Sequence, residues 1–225
     1  MTVPYYSDDL VTLYQGDCRE ITEWLAADVM VSDVPYGIDY RSGWDAPAGS
    51  PRSIAGDDDT STRDAALALW GDKPALVFGS WKRPRPTRTH TRLIWDTKGA
   101  LGMGDLSVPW KPSDQEIYVI GHGFTGPRTT NVLSYAPVQA TGRLHPHQKP
   151  VDLLEDLLRK CPHGVVADPF AGSGTTLLAA KNLGIRAIGV ELDEGYCRKI
   201  AARLGSWRHS MDADSLFAAT GEGER

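Results

Sequence analysis

Apolar residues fall along this chain in short runs that end at glycine, proline or aspartate, and the stretches between them carry apolar positions at helical spacing. Seven runs predict strands: Leu10 to Tyr14, Val29 to Ser32, Ala75 to Phe78, Leu93 to Trp95, Glu116 to Ile120, Val165 to Ala167 and Ala187 to Val190. Helices are predicted between several of them. Arg19 to Ala26 places Ile21, Trp24 and Leu25 on one face, and Ser61 to Asp64 reads as a capping box opening a helix through Trp70. Pro150 suits a first helical turn, after which Val151, Leu153, Leu154, Leu157 and Leu158 form one apolar side, ended by Gly164. Thr175 to Leu183 is a helix closed by Gly184, and a last helix runs from Glu194 to Leu204.

Strands alternating with helices predict an α/β fold with a doubly wound, mostly parallel, seven-stranded Rossmann-like sheet. Residues 1–205 are expected to form one domain, with irregular insertions near 38–60 and 121–143. Residues 206–225 read as a tail, partly disordered at Gly221 to Arg225.

The length of 225 residues suits a single α/β core, and 41% hydrophobic with 24% charged residues is ordinary globular composition. No apolar stretch reaches membrane-spanning length and the start, MTVPYYSDDL, lacks a signal-peptide pattern, so a cytoplasmic protein is expected by default. Cys18, Cys161 and Cys197 are scattered and odd in number, which argues against disulfides or zinc. The net charge of −5 runs against nucleic-acid binding. A local exception is the strip Lys82, Arg83, Arg85, Arg88 and Arg92, free of acidic residues and next to Trp81. It reads equally well as a phosphate-contacting surface or as a solvated loop kept extended by Pro84 and Pro86.

Asp168-Pro169-Phe170-Ala171-Gly172-Ser173-Gly174-Thr175-Thr176 lies between a buried strand and a helix, where glycines let a ligand approach the backbone. A triphosphate loop would need lysine after Gly174, and the dinucleotide pattern would need glycine at Leu177, so both phosphate readings fail. Glu191 ends the following strand, where a carboxylate can accept both hydroxyls of a ribose. A glycine loop without phosphate machinery, together with a ribose acceptor, fits S-adenosylmethionine.

Asp33-Val34-Pro35-Tyr36 ends its own apolar strand. An exocyclic amino nitrogen of a nucleobase is a poor nucleophile because its lone pair is delocalised. The Asp33 carboxylate and a backbone carbonyl of the proline-flanked turn can accept from the amino group and favour a tetrahedral nitrogen, while Tyr36 offers an aromatic face to a base that has left its stack. In isolation the tetrapeptide reads as an ordinary turn.

Asp33-Val34-Pro35-Tyr36, His145-Pro146-His147-Gln148-Lys149-Pro150 and the loop from Asp168 to Thr175, in that order, resemble the permuted β group of DNA amino-methyltransferases, which act on adenine N6 or cytosine N4. The resemblance runs to Leu204 and implies S-adenosylmethionine as cofactor, DNA as partner, a homodimer, and a restriction-modification setting. It implies that Asp33, Pro35 and Tyr36 hold the target base. The cofactor would be met by Asp17 with Cys18, Asp33, Lys149, Asp168, Pro169, Phe170, Gly172, Ser173, Gly174, Thr175 and Glu191. Asp17 would meet its adenine and Lys149 its methionine end. An aspartate at position 33 leans towards adenine N6; cytosine N4, or a DNA-binding relative without catalysis, are the alternatives. Val34 stands where the family carries a first proline. His145 and His147 have no evident third ligand, and no metal is assigned.

Overall fold

The computed structural model describes residues 2–38, 41–42, 52–53, 56–99, 104–139 and 148–206. Its main sheet orders its strands β1-β2-β11-β10-β3-β6-β8-β7-β9. The five central ones are β2 (Val11–Gln15), β11 (Ala187–Glu191), β10 (Val166–Asp168), β3 (Val29–Ser32) and β6 (Ala75–Gly79), all parallel. β8 (Asp114–Ile120) runs antiparallel to β6 and to β7 (Thr89–Asp96), so the sheet is mixed. A separate antiparallel pair, β4 (Arg41–Ser42) and β5 (Arg52–Ser53), falls inside the first expected insertion.

All seven predicted strands form, but among the described residues the sheet has nine, which corrects the expected count. β1 (Tyr6–Ser7) and β9 (Val132–Ser134) are the additions, each at a sheet edge and neither with a buried residue. An edge strand of two or three half-exposed residues has no apolar alternation to reveal it. β9 lies within 121–143, expected to be irregular, and pairs parallel with β7.

Period-2 alternation inside the central strands sorts their side chains to two faces. Val29, Val31, Leu76, Phe78 and Val166 join one core, and Met30, Ala75, Val77 and Ala167 join the other. The first face is covered by α2 (Val151–Leu158), α3 (Thr175–Asn182) and α4 (Glu194–Gly205). Leu153, Leu154, Leu157 and Leu158 of α2 are all buried, each worth roughly 1.5–3 kcal/mol relative to exposure. The opposite face is covered by α1 (Ser61–Trp70) and a single 3₁₀ turn, Glu23–Ala26, whose Trp24 stacks on Trp70 with ring centres 5.6 Å apart. Helices on both faces make the sheet doubly wound.

Three local expectations change. The helix foreseen at Arg19 to Ala26 shrinks to that 3₁₀ turn; Ile21 and Trp24, three apart, suit its shorter period, and Glu20 and Ile21 donate back to the Asp17 carbonyl instead. The box from Ser61 to Asp64 does not form. Ser61 is already helical, Thr60 is the N-cap, the Thr60 hydroxyl donates to Asp64 at 2.9 Å, and Asp59 accepts the Ser61 N–H. α2 stops at Leu158, well before Gly164, because Pro162 forces the chain out of helical geometry. Among the described residues no helix is long and apolar enough to cross a membrane. His145, His147, most of 38–60 and the tail beyond Ser206 lie outside the described residues.

Candidate active site

Parallel strands deliver their C-terminal ends to one edge of a sheet, which is where open α/β sheets hold ligands. Along that edge stand, in order, Asp17 beyond β2, Glu191 at the end of β11, the loop from Asp168 beyond β10, Asp33 to Tyr36 beyond β3, and Ser80 beyond β6. β10 and β3 are hydrogen-bonded neighbours, so the two motifs expected to work together leave the sheet side by side.

Their junction is a buried hydrogen bond. Ser32, the last residue of β3, donates its hydroxyl to Asp168 Oδ1 at 2.7 Å. Asp168 also accepts from the Phe170 N–H at 3.3 Å. Burial is the main force on its carboxyl and pushes its pKa up to about 6, opposed by the bonds from Ser32 and Thr176 and assisted by the charge of Asp33. Asp168 therefore braces the two motif strands.

Asp33 is held at both oxygens. Tyr36 donates its hydroxyl to Oδ1 at 2.6 Å, and the Lys149 ammonium meets Oδ2 at 2.6 Å. Lys149 also reaches the Tyr36 oxygen at 3.1 Å, and the Tyr36 hydroxyl lies 3.2 Å from Gln115 Oε1 of β8. The lysine side chain is 5% exposed, and its ammonium lies 5.1 Å from the ring centre of Phe78, 5.5 Å from Tyr36 and 5.9 Å from Trp95. Burial first, and then the Asp33 charge, raise the Tyr36 pKa well above that of a free phenol, so Tyr36 stays neutral. Lys149 is thus at the Asp33 end of the edge. Val34 is buried in the same core as Met30, and the proline that follows restricts its backbone, so burial and Pro35 both limit the turn.

The two glycines of the loop have different duties. Gly174 (φ +72°) cannot carry a side chain, since a Cβ would stand 2.8 Å from Ile200 of α4. Gly172 (φ +53°) faces open space; the nearest atom to a Cβ there is the Phe170 carbonyl oxygen at 3.8 Å. Ser173 and Thr175 are buried, bonded to each other at 2.9 Å, and Arg203 donates to the Ser173 carbonyl at 3.0 Å, so they tie the loop to α4. Glu191 accepts from the Gly172 N–H at 2.7 Å and from the Asp193 N–H at 2.8 Å, while burial raises its pKa. Each carboxylate oxygen keeps a second lone pair for a hydroxyl. The Gly16 N–H donates to the Glu191 carbonyl, which brings Asp17 next to Glu191. Asp17 is ion-paired with Arg19 at 2.5 Å. Cys18 is buried, its thiol pushed up to about 12 by burial and by Asp17, and its carbonyl accepts from Trp24. Phe170, partly buried, packs on the same core.

Three arginines of the basic strip are half-exposed and paired with other parts of the fold. Arg85 and Arg92 both contact Oε1 of Glu116 at 2.7 Å. Glu116 is buried. Burial pulls its pKa up, but Arg85, Tyr118 and Arg92 outweigh this and hold it below the ordinary value. Arg88 bonds the carbonyls of Leu67 and Gly71 at the end of α1, and Asp72. Those contacts hold the three arginines in place with part of each side chain exposed, while Lys82 and half-buried Arg83 follow exposed Trp81 just beyond β6. Sequence reasoning missed Ser32, Gln115, Phe78 and Trp95 as site residues. They belong to strands whose pattern marks burial, and nothing in a one-dimensional pattern says which buried residue meets Asp33 or Lys149.

The profile of the N6/N4 DNA methylase family matches residues 73–203, more than half of the chain. The protein belongs to that family. Its members use S-adenosylmethionine as methyl donor. The match takes in Lys149 and the glycine loop and begins after Asp33 to Tyr36. The chain is 28% identical to the YubD protein of Escherichia coli over 218 residues, 88% of this chain and 91% of that one. It is 42% identical over 79 residues to the type II methyltransferase M.HindIII of Haemophilus influenzae, a stretch covering 34% of this chain and 25% of that protein. The solved structures it resembles include the PvuII DNA methyltransferase, described as cytosine-N4-specific (TM-score 0.63, 14% identity, 96% of this chain and 93% of that one). They also include a complex of M1.HpyAVI with S-adenosylmethionine (TM-score 0.60, 19% identity, 86% of this chain and 100% of that one). At those identities the likeness is one of fold, and it matches the mixed sheet with helices on both faces.

Proposed function

We propose that residues 1–205 act as one permuted-order methyltransferase domain that binds S-adenosylmethionine and methylates adenine N6 in DNA at specific sites. The observation that carries this reading is the adjacency of Asp33 and the glycine loop on paired strands, linked by Ser32 and Asp168.

The residues present fit the cofactor. Glu191 and Asp33 stand on strands two places apart, roughly 10 Å by ordinary strand spacing, with the open face of Gly172 between them. Glu191 would hold the ribose hydroxyls, Asp17 with Cys18 and Phe170 the adenine, and the backbone at Gly172 the amino-acid tail. Pro169, Asp168, Ser173, Gly174 and Thr175 shape and brace that loop. Lys149, bonded to Asp33 and Tyr36 on the β6 side of the cleft, would hold Asp33 in place. When bound, S-adenosylmethionine supplies an electrophilic methyl group on a sulfonium. Asp33 orients the acceptor. Its oxygens each retain a lone pair beyond those used by Tyr36 and Lys149, and with a carbonyl of the Val34–Pro35 turn they accept from the target amino group and direct its lone pair outward. The buried rings of Phe78 and Trp95 exclude water around Lys149, and partly buried Tyr36 would offer its ring to an unstacked base.

The same acceptors suit the 4-amino group of cytosine, and nucleoside analysis separates the two. The protein incubated with unmethylated duplex DNA and labelled S-adenosylmethionine should yield N6-methyladenine on digestion. N4-methylcytosine would reassign the base, and no incorporation into any duplex would refute the enzyme reading. Asp33→Ala should abolish transfer while leaving DNA binding in place; a wild-type protein that binds DNA and never methylates it would instead be the non-catalytic relative.

A further inference from the structure

The loop joining β7 to β8 leaves the sheet at the same edge as the active site. Asp96 pairs with Asp114 and Gly79 of β6 with Glu116, so the hairpin opens where the parallel strands end, and Gln115 at its base touches Tyr36. Its neck is fixed. The Thr97 N–H and hydroxyl both donate to the Ser113 carbonyl, Lys111 donates to the Gly99 carbonyl, and Gly104 packs so closely on Pro112 that a Cβ would stand 2.4 Å away. Beyond that neck the loop presents apolar side chains to solvent: Leu106 is 78% exposed, Val108 48% and Trp110 79%. A soluble surface does not gather such residues on a braced loop beside a catalytic cleft without something to cover them.

We propose that residues 104–112 are a DNA-contacting arm. Trp110 and Leu106 lie against bases unstacked when the target nucleotide swings out, and Lys98, Lys111 and, beyond the neighbouring strand β6, Lys82 and Arg83 meet the flanking phosphates. This rests on DNA being the substrate. The place of the arm favours DNA over a second copy of the chain. The favouring observation is position: Gln115 at the base of the hairpin bonds Tyr36, so whatever enters the cleft passes the arm, and exposed Lys111 stands next to Trp110 where a phosphate would follow a stacked base. Stacking on a duplex base is sequence-tolerant, so the arm serves to hold the opened duplex.

The test compares wild type with Leu106→Ser/Trp110→Ser, both with S-adenosylhomocysteine, by fluorescence anisotropy on unmethylated duplex DNA. Both side chains are exposed, so the fold and the calorimetric affinity for S-adenosylhomocysteine should be unchanged. The double variant should bind duplex ten- to a hundredfold more weakly, the loss of about one stacked base. Duplex affinity within twofold of wild type would overturn the arm, as would light scattering showing a wild-type dimer that the variant splits, or a wild-type protein with no measurable affinity for duplex. The functional reading stands or falls separately on methyl incorporation: normal transfer with an unaffected variant sinks the arm alone, and arm-dependent binding without transfer sinks the enzyme alone.

Discussion

Lys149→Met tests the centre of the site. The substitution keeps the stem among Phe78, Trp95 and Tyr36 and removes the charge that Asp33 meets at 2.6 Å. Removing one member of a fully buried ion pair costs about 3–5 kcal/mol. The Asp33 side chain is 28% exposed, so water and the Tyr36 hydroxyl recover part of that, and about 2–3 kcal/mol is expected. For a chain of this size the melting temperature should fall by about 4–12 °C. Asp33→Asn alone strands a buried ammonium and should cost as much or more. The double variant, which removes both charges, should be less destabilised than the sum by at least about 1.5 kcal/mol. Urea denaturation of the four proteins at constant ionic strength measures that coupling. A coupling below about 0.5 kcal/mol would mean that Lys149 and Asp33 do not form a pair, and the account of the site built on them would be wrong.

Asp168→Asn should change how stability depends on pH. The folded pKa of Asp168 is raised to about 6, so its contribution is fully present below the unfolded value of about 3.8 and is lost as pH rises through 6. Asparagine keeps an acceptor for Ser32 and carries no charge, so the variant should gain relative to wild type between pH 5 and pH 8; a parallel pair of denaturation curves at the two pH values would contradict the raised pKa. Gly174→Ala should destabilise by about 2–4 kcal/mol through its positive φ and the overlap with Ile200, whereas Gly172→Ala should cost about 1 kcal/mol and act on cofactor affinity. Melting curves with calorimetric titration of S-adenosylhomocysteine distinguish them, and equal melting losses would disprove the division of duties. Glu191→Gln should keep one of the Gly172 and Asp193 N–H contacts, on its single carbonyl oxygen, and weaken nucleoside binding about tenfold, while Glu191→Ala should lose both and loosen the loop. Unchanged affinity in both would remove Glu191 from the site.

The central strands were legible because burial on both faces leaves unbroken apolar runs, and α2 because four leucines share one side. The edge strands β1 and β9 were not, since their hydrogen bonds come from a neighbour and their side chains stay outside the core. The turn at Glu23–Ala26 was misread as a full helix because Ile21 and Trp24 satisfy both periods, and packing of Trp24 on Trp70 fixes only the short one. The ion pairs of the charge strip were hidden for a different reason. Its arginines are positive in any reading, but their target, Glu116, is far along the chain and is met only through the pairing of β7 with β8.

By itself the sequence determined the alternation of strand and helix, the glycine loop that excludes phosphate machinery, and the carboxylate and aromatic residues placed after strand ends, because these follow from local stereochemistry and residue type. Tertiary structure alone decided which of them work together. β10 settles beside β3 although Asp33 and Asp168 are far apart along the chain, and Lys149 reaches Asp33 from yet another segment. Such contacts are selected by burial of both sheet faces at once, a condition on the whole chain that no single stretch of residues carries.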